Sequence, residues 1–246
     1  MRIAVLTDIH ANREAFEAVL ADLEDRDIGR IAILGDVVGY GPDPVWCVQR
    51  VQSLMKTGAV CLRGNHDNAA AGAEESMSQN ARKAMDWTLG QLDAGAKAFL
   101  GRLPLTVAEG EVQYVHASAD APGDWNYIRN DIRAVPSFRA STARILLCGH
   151  VHVPLLVSCD RSGQVRAQSF RSGLPVPLIR SRRWLAVIGA VGQPRDGHAQ
   201  AGYAILDLDT DELTFRRVAY DVMRTAEKIR AAGLPPDLAQ RLMAGE

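Results

Sequence analysis

Five short apolar runs in this 246-residue chain end on the same small set of polar residues: aspartate, asparagine and histidine. Arg2 to Thr7 runs into Asp8-Ile9-His10, Arg30 to Leu34 into Gly35-Asp36, and Ala59 to Leu62 into Gly64-Asn65-His66-Asp67. Val112 to Val115 ends on His116, and Ile145 to Cys148 on Gly149-His150-Val151-His152. Runs this short and this rich in aliphatic and β-branched residues read as strands buried on both faces. An open α/β sheet places its site beyond the carboxyl ends of its strands, so the polar termini are expected to share one edge. Asp8 and His10, two residues apart, project to the same side. Glycine before Asp36, Asn65 and His150 lets the backbone turn sharply and come close to a ligand.

The segments between these runs read as helices. Asn12 to Arg26 carries Phe16, Val19, Leu20 and Leu23 at helical spacing. Asp43-Pro44 opens a second helix through Val48, Val51 and Leu54, with proline at a tolerated early position. Ala69 to about Leu100 is rich in Ala, Gln, Lys and Leu and is expected to be helical. Strands follow at Leu155 to Cys159, Val165 to Phe170, Trp184 to Val187, Tyr203 to Leu208 and Leu213 to Val218. A helix over Asp221 to Ala232 and a short one after Pro235-Pro236 close the chain. The alternation of strands with helices implies parallel pairing and covered sheets. With no long linker or internal repeat, the expectation is an α/β chain with two sheets inside and helices outside. Residues 1–246 would form a single domain, with the 69–101 helical segment near the site and the 221–246 helices at its end.

Composition limits what such a site can serve. Lys+Arg number 28 and Asp+Glu 29, a net charge of −1, and no Lys/Arg stripe marks an extended nucleic-acid surface. That argues against a nuclease acting on long polyanions. No apolar run approaches the roughly 20 residues that cross a bilayer. The amino-terminal run meets Asp8 too early for a signal peptide, so a cytoplasmic, membrane-free protein is expected. Cys47, Cys61, Cys148 and Cys159 show no C-x-x-C spacing and read as buried small hydrophobes. Five of the six histidines fall in the strand-end motifs, leaving only His198, expected to be exposed and inert. Mixed nitrogen and oxygen donors suit Mn, Fe, Zn or Ni rather than Ca or Mg alone.

The ordered set Asp8-x-His10, Gly35-Asp36, Gly64-Asn65-His66-Asp67, His116 and Gly149-His150-x-His152 resembles the calcineurin-like metallophosphoesterase superfamily, from Met1 to about Val218. Gly39-Tyr40-Gly41-Pro42-Asp43-Pro44 and Gly192-Gln193-Pro194-Arg195-Asp196-Gly197 are similar to a bacterial and archaeal group described as diadenosine tetraphosphatase-like or phosphodiesterase-like. The resemblance implies a four-layer α/β/β/α sandwich with two central mixed sheets. It also implies two divalent transition-metal ions, Mn, Fe, Zn or Ni. Asp8, His10, Asp36 and His152 would hold one, and Asp36, Asn65, His116 and His150 the other, with Asp36 bridging. A hydroxide shared by the ions would attack phosphorus in line. His66 would protonate or stabilise the leaving oxygen. Asp67 would support His66, or equally would tie its own loop through backbone hydrogen bonds.

The substrate implied is a small phosphodiester, phosphomonoester or nucleotide, with a dinucleoside polyphosphate as the enzymatic alternative. A non-catalytic interaction scaffold is the alternative from another class; the filled ligand set and the presence of His66 weigh against it. Two departures narrow the reading. Gly39-Tyr40 follows Gly35-Asp36-Val37-Val38 where protein Ser/Thr phosphatases of the superfamily carry an Asp and an Arg. Val187-Ile188-Gly189-Ala190 stands where relatives often have Asn-Pro-Gly-Ser.

Other residues have two readings each. Asn12 faces substrate or caps a helix. Tyr40 stacks on a base or covers the core, and Arg195 forks a phosphate or is a solvated loop charge. Trp87 and Trp125 shape a substrate wall or simply pack.

Overall fold

The computed structural model describes residues 1–246. The chain begins β1 (Arg2–Leu6), α1 (Arg13–Glu24), β2 (Arg30–Ile33), α2 (Pro44–Lys56) and β3 (Val60–Cys61). Three helices follow, α3 (Asn65–Ala70), α4 (Gln79–Gln91) and α5 (Ala94–Arg102), then β4 (Thr106–Glu109) and β5 (Val112–Val115). α6 (Asp131–Ala140) leads to β6 (Ile145–Cys148), β7 (Leu155–Cys159), β8 (Val165–Gln168), β9 (Val176–Pro177) and β10 (Arg183–Val187). β11 (Ala201–Asp207), β12 (Glu212–Val218), α7 (Val222–Ala231) and α8 (Pro236–Ala244) complete it.

The strands form two six-stranded mixed sheets. The first has the order β3-β2-β1-β11-β12-β9, with β1, β2 and β3 parallel and β11 antiparallel to β1. The second has the order β4-β5-β6-β10-β7-β8, with β5, β6 and β10 parallel. Period-two alternation sends the side chains of each strand into two different cores. In β1, Ala4 and Leu6 meet Phe16, Val19, Val48 and Val51 of the covering helices, while Ile3 and Val5 face the other sheet. In β6, Ile145 and Leu147 join that inter-sheet core with Tyr114 and Trp184, whereas Leu146 and Cys148 pack under Ala134 and Phe138 of α6. Burial on both faces is why these strands read as continuous apolar runs. Helices therefore flank the paired sheets on both sides, the α/β/β/α arrangement. All four cysteines are free and buried. No helix is long and apolar enough to cross a membrane.

Several parts differ from the sequence reading, the short edge strand β9 among them. The helical stretch after Ala69 is interrupted: α3 starts at Asn65 itself, and helix resumes only at Gln79 behind the Ser78 cap. β4 is an edge strand with alternate exposed residues and too few apolar side chains to register. α6 was not anticipated, because Pro136 lies inside it. Its cap is conventional, Asn130 accepting from the Arg133 N–H, and the proline sits on an exposed face where a missing backbone donor costs little.

Candidate active site

Tight turns after β1, β2 and β6 bring their polar residues to a common centre. Asp8, His10, Asp36, His150 and His152 all adopt left-handed backbone conformations, with φ of 53°, 49°, 54°, 67° and 63°. Such values are unfavourable for non-glycine residues and persist only where surrounding contacts fix them. The fixing contacts are present: the Asp8 N–H donates to Gly35 O, the His10 N–H to Asp36 O, and the Gly192 N–H to Asp8 O. The preceding glycines permit the approach. A Cβ at Gly149 would lie 2.0 Å from Thr7 Oγ1, and one at Gly64 would lie 2.1 Å from Asp36 Oδ1.

Each buried carboxylate is anchored through one oxygen and free at the other. Asp8 Oδ2 accepts from the Thr7 hydroxyl and the His150 N–H, both at 2.9 Å, while Oδ1 has no hydrogen-bond partner. Asp36 Oδ1 accepts from the His66 N–H at 2.8 Å, leaving Oδ2 3.6 Å from His10 Nε2 and 3.5 Å from His116 Nε2. The imidazoles are oriented in the same manner. His10, His116 and His152 place Nδ1 against the carbonyls of Val38, Leu34 and Gln193, at 3.2, 2.8 and 2.6 Å. A carbonyl only accepts, so Nδ1 carries the hydrogen and Nε2 turns inward.

The result is a set of donors lacking a counterpart. Asp8 Oδ1, Asn65 Oδ1, His116 Nε2 and His150 Nε2 are buried without a partner. His10 Nε2 and His152 Nε2 stand 3.1 Å apart, a repulsive contact unless a cation or proton lies between them. Three groups have ligand atoms within 4.8 Å of one another: Asp8, His10 and His152; His10, Asp36 and His66; and Asp36, His116 and His150. Asp36 joins two of them across the middle. This donor set fits divalent transition-metal ions in type, burial and orientation.

The electrostatics agree. Burial pushes the Asp8 and Asp36 carboxyls up, but neighbouring imidazoles, His152 for the first and His116 for the second, hold both below the ordinary carboxylate range. Burial drives His150 down to about 3 and takes His10 well below the ordinary imidazole value. His116 departs from this pattern: burial would lower it, but the Asp36 carboxylate outweighs burial and raises it to about 9.

Not every expected residue joins the centre. His66 does, lining a cavity of about 270 Å³ with Asp36, Asn65, His150 and His152. Its ring packs between Tyr40 and His10, at centroid distances of 4.5 and 4.9 Å, and burial lowers its pKa. Tyr40 and Arg195 line the same cavity, with the Arg195 guanidinium 5.6 Å from the Tyr40 ring centroid.

Asp67 makes no hydrogen bond to His66. Its oxygens accept from the backbone N–H groups of Val37, Val38 and Gly64, so it ties the β2 and β3 turns together, and the supporting role for His66 is corrected. Asn12 is likewise corrected to a structural residue. It is buried; Oδ1 accepts from the Ala15 N–H and the Thr225 hydroxyl, while Nδ2 donates to Gly192 O and the Tyr220 hydroxyl. Nothing remains for a substrate.

Other residues here escaped the sequence reading. Tyr127 stacks on His150 at 4.1 Å and 25°, and Arg241 of α8 lines the cavity with Ser76 and Ser78. Trp125 packs edge-on to His116 and donates to Glu75 Oε1, while Trp87 packs among α4, α7 and α8. His198 is exposed.

With fold and centre defined, the family can be stated. The model of the calcineurin-like phosphoesterase superfamily domain matches residues 1–211, and the chain belongs to this superfamily. An uncharacterised protein of Methanocaldococcus jannaschii is 34% identical over 250 residues, spanning 99% of this chain and 98% of that protein. The crystal structure of a metallophosphoesterase from Sphaerobacter thermophilus superposes with a TM-score of 0.88 and 40% identity over the whole of both chains. A hypothetical protein from Pyrococcus horikoshii OT3, at 20% identity, shares the fold with a TM-score of 0.81 over 100% of this chain and 98% of its own.

Proposed function

We propose that this protein is a two-metal phosphoester hydrolase acting on a small phosphodiester, phosphomonoester or nucleotide. The observation that carries the reading is the convergence of buried, partnerless Oδ and Nε2 atoms from both sheets on one cluster, of which Asn65 and His150 line an open cavity. Asp8, His10, Asp36 and His152 would hold one cation, and Asp36, Asn65, His116 and His150 a second. Asp8 and Asp36 come from turns of the first sheet, and His116 and His150 from the second, which favours residues 1–246 acting as a single domain. Cations such as Mn, Fe, Zn or Ni would supply Lewis acidity and an activated water at this edge.

The chain's own residues do the remainder. Backbone carbonyls on the Nδ1 atoms fix the tautomers, and anchored carboxylate oxygens fix the geometry, so little reorganisation accompanies substrate entry. His66, neutral by burial, presents a ring N–H to the leaving oxygen and holds a hydrogen bond there as charge develops. Tyr40 and Arg195 contact the substrate from the rim. Asp67 positions rather than reacts, holding the turn that carries Asn65 and His66. Four buried, unpaired thiols suit a cytoplasmic setting.

The test is metal analysis of purified protein coupled to a panel of a phosphomonoester, a phosphodiester and a dinucleoside polyphosphate. The His66→Ala variant is expected to retain metal and lose about 10²- to 10⁴-fold in kcat. No turnover on any panel member, with His66→Ala indistinguishable from the parent, defeats the reading.

A further inference from the structure

The cavity beside the metal-competent cluster also contains two guanidinium groups without a carboxylate partner. Arg195 is hydrogen-bonded only to the neutral Gln193 Oε1, at 2.6 and 3.2 Å; the adjacent Asp196 is engaged by Arg217. Arg241, exposed at the rim, lines the same cavity and makes no side-chain hydrogen bond or ion pair within the chain. Arg195 is partly buried. Two guanidiniums on the wall of a cavity that also holds a cation-competent cluster concentrate positive charge there. An anion that reaches both arginines and the cluster is matched by all of them.

The two arginines are mounted on segments joined to each other. The Gly197 N–H donates to Gly245 O at 2.9 Å. Gly245, at φ +71°, fits so closely on the neighbouring turn that a Cβ would lie 2.4 Å from the His198 backbone nitrogen. The end of α8 is thus seated on the turn that carries Arg195. α8 also lies beyond residues 1–211, the span matched by the superfamily model. The superfamily domain supplies the cation centre, and the carboxyl-terminal helix adds a charge to its cavity.

We propose that Arg241, acting with Arg195, is a specificity residue that binds a second phosphate of the substrate, apart from the phosphoryl group held at the cation centre. The preferred substrate is then an ester carrying at least two phosphates. This rests on the phosphoester-hydrolase reading of the site.

The full chain loaded with Mn²⁺ provides the test. The kcat/KM for diadenosine tetraphosphate is divided by that for bis(p-nitrophenyl) phosphate, which carries one anionic group. Arg241→Gln is expected to lower this ratio by about tenfold, chiefly through KM for the polyphosphate, as loss of a charge-assisted contact does. Arg139→Gln, on an exposed turn of α6, leaves the ratio unchanged. Calorimetry with inorganic triphosphate and methylphosphonate reads the same site without turnover. Arg241→Gln weakens triphosphate about tenfold and methylphosphonate less. An unchanged ratio with intact triphosphate affinity overturns the proposal and leaves the hydrolase reading standing. Absent turnover on both esters, with triphosphate affinity still dependent on Arg241, overturns the hydrolase reading instead.

Discussion

Asn12 and Asn65 show how one side-chain type serves opposite ends in the same protein. Every hydrogen-bonding position of Asn12 is satisfied internally, by the first turn of α1, by Gly192 O and by the Tyr220 and Thr225 hydroxyls. Asn65 Oδ1 is buried and unsatisfied beside the cation centre. A satisfied buried amide stabilises, whereas an unsatisfied one is tolerated only where something else completes it. Asn12→Ala is therefore expected to cost about 1–3 kcal/mol of stability through the lost cap and the orphaned partners. Thermal or denaturant unfolding checks this; an unchanged midpoint together with a raised KM would return Asn12 to the substrate. From sequence Asn65 reads as a metal ligand within its motif, while Asn12 reads equally as a substrate contact or a helix cap. Asp67 is a comparable case, since its three backbone donors lie on two different turns. Nothing local in Gly64-Asn65-His66-Asp67 distinguishes an anchor from a partner of His66.

At the scale of elements, the turns after β1, β2 and β6 are held in place by close backbone packing. Left-handed φ at Asp8, His10, Asp36, His150 and His152 is maintained by cross-turn hydrogen bonds and by glycines that leave no gap. Gly149→Ala puts a methyl group into Thr7 Oγ1 and within 2.7 Å of Asp8 Oδ2. The β6 turn must then separate from the β1 turn, with an expected loss of about 2–4 kcal/mol and a lowered metal content. Unfolding midpoints and metal stoichiometry report the two effects, and a variant normal in both refutes the packing argument. The strands leading into these turns were legible because burial on both faces leaves an uninterrupted apolar run. α6 was not, because Pro136 contradicts helix locally while its packing through Ala134 and Phe138 on β6 and β7 supports it. β4 and β9 are edge strands, whose pairing comes from a neighbour rather than from their own pattern.

At the scale of the whole molecule, the centre exists only because the two sheets present their strand ends to one another. Cations bound between them should hold the halves together, since ligands this arranged are absent from the unfolded chain. Mn²⁺ at about a hundredfold excess over its Kd is expected to raise Tm by about 5–10 °C, and a chelator to reverse the gain. A Tm indifferent to both would mean that the buried donors hold no ion. The net charge of −1 is compatible with an anionic substrate on the same ground: bound ions would concentrate positive charge in the site beside Arg195 and Arg241, rather than spreading it over the surface.

The strands buried on both faces, the donors at their ends and the superfamily resemblance are legible in one dimension, because hydrophobic periodicity and motif spacing are local. Which polar atoms stay unpaired, that Asn12 and Asp67 are anchors, and that Tyr127 and Arg241 reach the cavity emerge only in three dimensions. Those outcomes depend on contacts between segments far apart in the chain, and hydrogen bonding or charge pairing is assigned only when the fold has brought the partners together.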